Sequence, residues 1–170
     1  VLLFFLESMG LGIRKPLKTT CISLMDVRAD RKIYWLVGAL TRLVNRLGGD
    51  FKFQALPEVF DLWADGIDLV VFEEFGAGAA ALHLQDPAER TRLLMDRDYR
   101  RRFRREWTSK FLPRAFHRNF NHSQVLACPE PELVGKSFVE IARERGADVV
   151  DTFLDLVARH GTALRWYTVM

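Results

Sequence analysis

Four histidines are the side chains in this 170-residue sequence best suited to metal binding or proton transfer, and they are His83, His117, His122 and His160. None forms an H-x-H or H-x-x-x-H pair, and no carboxylate accompanies them at the spacing of a metal site. His117 and His122 flank the polar turn HRNFNH, so a site shared by these two stays open. His160 precedes Gly161 at a predicted helix end, where it is better explained by the helix dipole. We therefore assign no catalytic residue and no metal ligand within the sequence.

Glu73 and Glu74 are the next candidates, since two carboxylates can act as an acid and a base. Adjacent residues usually point apart, which favours a structural or surface role for this pair. The sequence contains no G-x-S-x-G motif, P-loop or dinucleotide fingerprint. Gly76 and Gly78 lack a phosphate-binding context, although glycines between alanines allow close backbone packing.

A basic segment extends from Arg90 to Arg118 and contains eleven Lys or Arg and three acidic residues. Its net charge is therefore +8, whereas the net charge of the whole chain is +3. Such a run could contact phosphates. Its aromatic residues recur every four positions, however, at Tyr99, Phe103, Trp107 and Phe111. This spacing places them on one face of a helix, with arginines covering the rest, and makes nucleic acid an unlikely partner. The alternative is a non-catalytic helical module that binds nucleic acid or a protein through Arg97–Arg105.

Composition fits a folded chain, because 49% of the residues are apolar and 28% are charged. Cys21 and Cys128 form no C-x-x-C pair, which excludes a disulfide framework or cysteine zinc site and fits a reducing compartment. The longest apolar run, residues 1–6, is too short to span a bilayer and lacks the features of a signal peptide. We expect a cytoplasmic protein with no membrane partner.

Hydrophobic periodicity predicts an amphipathic helix near residues 31–47, ended by Gly48-Gly49, and a short strand over 51–55 before Pro57. Residues 69–75 fit either a buried strand or a helical segment. Asp86-Pro87 predicts the start of a helix that runs to about Met95, and a second helix begins near Asp96.

Ser137 and Glu140 form a predicted capping box, and Gly146 ends that helix. A further helix follows from Asp148 to Gly161, and residues 164–170 then predict a strand. The order helix, glycine, hydrophobic strand is typical of a parallel α/β sheet or barrel. A strand with no turn after it needs a neighbour, so we expect the chain to be part of a longer polypeptide.

The stretch CPEPELVGKSFVEIARERG, residues 128–146, resembles a segment of bacterial N-acyl-D-amino-acid deacylases, which are metal-dependent amidohydrolases. It is similar to their pattern P-x-L-x-G-x-[ST]-hydrophobic-x-E-[IL]-A-x-E-R-G. The resemblance continues through residues 148–160 and 164–170. Upstream, FQALP at 53–57, DLWADG at 61–66 and FEEF at 72–75 resemble the branch of the family in which a strand leads into a helical insertion. The match covers residues 51–170, whereas residues 1–50 match poorly.

This resemblance implies an α/β fold, part of a (β/α)8 TIM-type barrel with a mainly helical insertion. Residues 1–50 would be a poorly matched N-terminal part, 51–128 a barrel strand with its arginine-rich insertion, and 129–170 barrel helices and a late strand. All three parts would belong to one incomplete catalytic domain. The family hydrolyses the amide bond of N-acyl amino acids with water activated by a divalent metal, usually zinc.

The family's metal ligands are an H-x-H pair, a Cys or its equivalent, two later histidines and an Asp, and those motifs are not in this sequence. The resemblance therefore implies a metal in the full-length protein, none bound by this segment and no catalysis by the segment alone. Its partners would be a small N-acyl amino acid or related amide and the rest of the barrel.

Tyr167 and Met170 match the Y-x-x-M pattern that lines the substrate side-chain pocket in the family, although a purely buried barrel strand is an equal alternative. Leu56-Pro57-Glu58 replaces the frequent Tyr-Pro-Tyr, which removes aromatic hydroxyls expected near the substrate carboxylate and weakens the case for D-specificity.

Overall fold

A computed structural model describes residues 18–25, 31–56, 61–109 and 116–169. The chain divides into two units, Val1–Val59 and Phe60–Met170. In the first unit, β1 (Lys18–Met25) and β2 (Asp50–Leu56) pair in parallel and are connected through α1 (Arg31–Arg46). This β-α-β arrangement is typical of α/β proteins.

The turn between α1 and β2 is held by the side chain of Asn45. Its amide nitrogen donates to the Phe51 carbonyl at 2.9 Å, and its amide oxygen accepts the Phe51 N–H at 2.8 Å. Val44 and Phe51 are buried at this junction. Gly48 has a φ of +97°, a backbone conformation that favours glycine, so the predicted helix stop has its physical reason here.

The second unit contains three strands and five helices within its described residues. They are β3 (Asp61–Asp65), α2 (Gly76–Leu82), α3 (Pro87–Met95), α4 (Arg97–Trp107), β4 (Ser123–Ala127), α5 (Phe138–Arg145), α6 (Val149–His160) and β5 (Arg165–Val169). Residues 70–74, which the sequence left undecided, form a short 3-10 helix, Val70–Glu74.

Side-chain caps start four of these helices where the sequence predicts them. Asp86 accepts the Ala88 N–H at the start of α3, and Asp96 accepts the Tyr99 N–H at the start of α4. Ser137 and Glu140 complete the predicted capping box of α5, and Asp148 caps α6. Each cap satisfies backbone N–H groups that the first turn of a helix leaves free.

The predicted strand at the C-terminal end is present as β5, but its pairing differs from the parallel arrangement we expected. It lies between β3 and β4 and runs antiparallel to both, with Trp63 and Gln124 each opposite Tyr167. The expectation failed because residues 61–65 and 123–127, which flank the helices, supply the two neighbours of β5. A complete (β/α)8 barrel would be a larger domain than the described residues form, and it stays a prediction.

An aromatic cluster beneath this sheet forms the core of the second unit. Phe72 is fully buried and stacks on Phe153 and Trp107, with ring centroids 5.6 and 5.8 Å away. Trp166, on the inner face of β5, meets Phe72 edge-on and donates its indole N–H to the Gly66 carbonyl at 2.7 Å. The aromatic core therefore covers one face of the sheet, and the side chains of the other face, such as Tyr167, can line a groove.

Candidate functional site

Tyr167 lies in a groove of about 570 Å³ on the outer side of the three-stranded sheet. It is half-buried, and Gln124 of β4 is its register partner. Ser137 continues this row, since a bridge links it to Gln124 across the outer edge of β4. The floor of the groove is thus built by backbone pairing, which fixes the positions of these side chains.

The walls of the groove come from α5 and from the turn that precedes β4. Val139 and Arg143 are four residues apart on α5 and both line the groove, as expected for neighbours on one helical face. Asn121 and His122 line the other side, and Val169 lies at the end of β5. The volume is in the range of small-molecule pockets.

Glu140 is the only carboxylate among the described residues that line the groove, and it forms part of the capping box at the start of α5. It accepts the Ser137 backbone N–H and the Ser137 hydroxyl, both at 2.8 Å. The backbone hydrogen bond from Ser137 is the main cause that holds the pKa of the Glu140 carboxyl below its usual value. Glu140 is therefore an ionised structural group rather than a proton donor at neutral pH.

Gln124 has a fixed amide orientation. Its Nε2 donates to the Gly135 carbonyl at 2.6 Å. Gly135 has a φ of +85°, and the turn it makes brings its carbonyl over β4. With the nitrogen committed, the amide oxygen Oε1 is left to accept a hydrogen bond.

His117 and His122 are brought together, with ring centroids 5.5 Å apart and rings nearly perpendicular. The two nitrogens of His117 contact backbone groups, because Nε2 lies 2.7 Å from the Val169 carbonyl and Nδ1 accepts the Asn119 N–H at 2.8 Å. These contacts require the Nε2–H tautomer and occupy both nitrogens, so a metal shared by the two histidines does not fit this arrangement.

Glu73 and Glu74 point to different partners, as expected for adjacent residues with a structural or surface role. Glu74 accepts the Phe116 N–H at 3.0 Å and forms an ion pair with the buried Arg118 at 3.3 Å. Glu73 lies instead near His83, with 3.6 Å between oxygen and nitrogen. The two carboxylates have separate partners and form no acid–base pair.

The aromatic stripe of α4 is buried, at Tyr99, Phe103 and Trp107, while Phe111 lies outside the described residues. Several arginines of α4 form ion pairs inside the unit: Arg100 with Asp155, Arg101 with Asp98, Arg102 with Glu106, and Arg104 with Asp148 and Asp151. These contacts favour the structural interpretation of the basic helix, because carboxylates of the protein already pair with the guanidinium groups that would bind a phosphate.

Within residues 18–25, 31–56, 61–109 and 116–169, no group of three or more His, Cys, Asp or Glu side chains is placed to hold a metal ion. The same part of the chain has no helix with the length and apolar character that a bilayer span requires. Met170, the second predicted pocket residue, lies outside the described residues.

Sequence reasoning singled out Tyr167 but did not connect it with Gln124 or Arg143. Gln124 lies outside the resembling stretch 128–146, and Arg143 occupies a variable position of its pattern. Their convergence depends on the antiparallel pairing of β4 with β5 and on the turn at Gly135, neither of which has a local sequence signal.

Comparison with known proteins finds uncharacterized mycobacterial relatives. These relatives are proteins of Mycobacterium bovis and of two strains of Mycobacterium tuberculosis. Each is 44% identical to the chain over an alignment of 173 residues that covers 99% of the chain. It spans 28% of the length of each of these relatives. No family model and no solved structure matches the chain.

Proposed function

We propose that this chain is part of a metal-dependent amidohydrolase of the N-acyl-D-amino-acid deacylase type. The whole protein would hydrolyse the amide bond of N-acyl amino acids or related amides in the cytoplasm, and this chain would contribute a wall of the substrate site. The catalytic domain would be a TIM-type barrel completed by the rest of the longer polypeptide.

The observation that carries the proposal is a convergence in space. The resembling stretch 128–146 supplies Gly135, Ser137, Val139 and Arg143 to the groove, and the separate Y-x-x-M pattern supplies Tyr167 to the same groove. Two distant pieces of the resemblance thus meet at one cavity. A deacylase needs a concave site for its substrate side chain, and the ring of Tyr167 offers an apolar surface with a hydroxyl.

The described residues do not fit a metal site, so no step through a metal follows from them. Zinc or another divalent ion would be held by other parts of the full-length protein. Its general chemistry in hydrolases is to lower the pKa of a bound water. The residues described for this chain can bind and orient a ligand beside such a centre.

The test uses the purified full-length protein and a panel of N-acetyl-D- and N-acetyl-L-amino acids. We expect hydrolysis of at least one series, lost on treatment with a chelator and restored by zinc. Tyr167→Ala should lower kcat/KM by about tenfold or more, as expected for loss of a large side chain from a pocket. Met95→Ala removes an exposed apolar side chain outside the groove and serves as the matched control. A metal-replete protein that cleaves none of these amides would disprove the proposal.

A further inference from the structure

Arg143 places a positive charge at the wall of the groove. Its neighbours on and near α5 are paired, since Arg145 contacts Glu130 at 2.8 Å and Lys136 contacts Glu144 at 2.7 Å. Arg143 forms no ion pair with any residue that the structure describes, and its side chain is exposed. A guanidinium stays charged at all physiological pH values and can donate two parallel hydrogen bonds to a carboxylate.

The positive charge of Arg143 acts on the nearby carboxylate of Glu140, but the two groups form no ion pair. The Glu140 carboxylate is held by two hydrogen bonds from Ser137 at the N-terminus of α5, where a negative charge is favoured. The donors of Arg143 therefore face the groove without a direct carboxylate partner among the described residues. The wall can accept a carboxylate that a ligand brings.

The floor of the groove offers a second, uncharged contact. Gln124 Nε2 is committed to the Gly135 carbonyl, so Oε1 is the atom that can receive an N–H from a ligand. Val139, Val169 and Tyr167 add a smaller apolar surface to this mainly polar cavity. A guanidinium, an amide oxygen and an apolar surface thus share about 570 Å³.

A ligand that satisfies all three contacts carries a carboxylate, a neighbouring amide N–H and an apolar side chain. We propose that the groove binds an N-acyl amino acid with its carboxylate on Arg143 and its amide N–H on Gln124 Oε1. The choice of ligand rests on the proposed function, and the assignment of Arg143 and Gln124 as its specificity residues goes beyond it. Arg143 distinguishes acids from neutral amides, while the apolar lining receives the side chain.

The experiment uses the full-length protein and two probes that differ in one group, N-acetyl-D-leucine and N-acetyl-D-leucinamide, with their L enantiomers in parallel. Ligand-observed NMR gives Kd, and the same spectra report any hydrolysis. We expect the wild-type protein to prefer the acid. Arg143→Gln should raise Kd for the acid about tenfold to a hundredfold and leave Kd for the amide within about twofold.

Two further variants separate charge from geometry. Arg143→Lys keeps the charge but loses the planar pair of donors, so its Kd for the acid should lie between those of wild type and Arg143→Gln. Gln124→Met should weaken both probes alike, by about threefold to tenfold, because both carry the acyl N–H. Arg97→Gln is the matched control, since Arg97 is exposed, lies outside the groove and forms no ion pair within the described residues. We expect it to bind both probes as the wild type does.

The outcomes distinguish this inference from the proposed function. Arg143-dependent binding of the acid without hydrolysis supports the assignment of Arg143 and counts against the amidohydrolase. Hydrolysis with the same preference for the acid in wild type and Arg143→Gln overturns the inference and leaves the amidohydrolase standing. A wild-type protein that binds neither enantiomer of either probe also overturns the inference.

Discussion

Arg118 shows how a single charged residue can organise the loop that precedes β4. Its side chain is 1% exposed, pairs with Glu74, and donates to the Glu106 carbonyl at 2.9 Å. Its guanidinium also lies 4.8 Å from the centre of the Phe75 ring, and its backbone φ of +53° is unusual for a residue other than glycine. These contacts hold the loop that carries His117 against β5, and so fix one side of the groove.

Replacing Arg118 should therefore destabilise the protein strongly. Arg118→Met removes one member of the buried Arg118–Glu74 ion pair, and we expect the free energy of unfolding to fall by about 3 kcal/mol. Chemical denaturation measures this loss. Arg101→Met is the matched control, because the Arg101–Asp98 pair is largely exposed and its removal should change stability by less than about 0.5 kcal/mol. Similar losses in the two variants would contradict a structural role for the buried pair.

Gly78 marks another position where one atom decides packing. A Cβ there would lie 2.2 Å from the Phe72 carbonyl oxygen, which belongs to backbone and cannot move aside cheaply. At Gly76 the nearest atom is the mobile end of the Arg102 side chain, at 2.6 Å. We expect Gly78→Ala to cost about 3 kcal/mol of stability and Gly76→Ala to cost less than about 1 kcal/mol. Thermal unfolding of both variants tests this, and equal melting temperatures would count against the close approach.

At the scale of elements, Glu130 joins three pieces of the second unit. Its carboxylate contacts Arg145 at the end of α5, and Arg159 and His160 at the end of α6, at distances of 2.7 to 2.8 Å. The hydrogen bond from His160 is the largest cause that holds the pKa of Glu130 below its usual value. One carboxylate thus ties two helix C-termini to the turn at 129–133, which precedes the groove wall.

The lowered pKa of Glu130 predicts a pH dependence of stability with a definite sign. The native state favours the ionised carboxyl, so its contribution is present above the ordinary pKa of the carboxyl in the unfolded state and is lost as the pH falls through the lower native value. Glu130→Gln should cost about 1 kcal/mol at pH 7, a modest value because the carboxylate is partly exposed. Denaturation curves at several pH values should show the difference between wild type and variant shrinking below about pH 4. A difference that is constant from pH 7 to 3 would contradict this role.

At the scale of the whole molecule, the ion pairs of α4 bear on the alternative that the protein binds nucleic acid. Of the arginines between 97 and 105, Arg97 and Arg105 form no ion pair within the part of the chain that the structure describes. Most of the positive charge in this helix is thus matched by carboxylates of the same unit, on α4 itself and on α6.

We therefore expect α4 to contribute little to any binding of polyanions by the full-length protein. With about two arginines of this helix outside ion pairs within the described residues, α4 should contribute no more than about −2 to the slope of log K against log salt for duplex DNA. Fluorescence anisotropy over a salt series measures the slope. Arg97→Gln/Arg105→Gln should flatten it, and a slope of about −5 or steeper that depends on these arginines would favour the nucleic-acid alternative.

Local features of the second unit were predictable from sequence because each depends on residues within one or two turns. The caps at Asp86, Asp96, Ser137 and Asp148 follow from side chains that reach N–H groups two or three positions ahead. The buried stripe of α4 follows from aromatic residues four positions apart. The undecided segment 69–75 contains the short 3-10 helix Val70–Glu74, which has too few residues to show a periodicity.

The sequence by itself determined where α3, α4, α5 and α6 begin, which face of α4 is buried, and that Tyr167 was a pocket candidate. The tertiary structure alone decided that β5 lies between two antiparallel neighbours and that Gln124 and Arg143 share a groove with Tyr167. Helix caps and stripes are specified by short-range contacts along the chain. The partners of a strand are chosen by residues some 40 and 100 positions away, through packing of the whole aromatic core, and no local pattern encodes that choice.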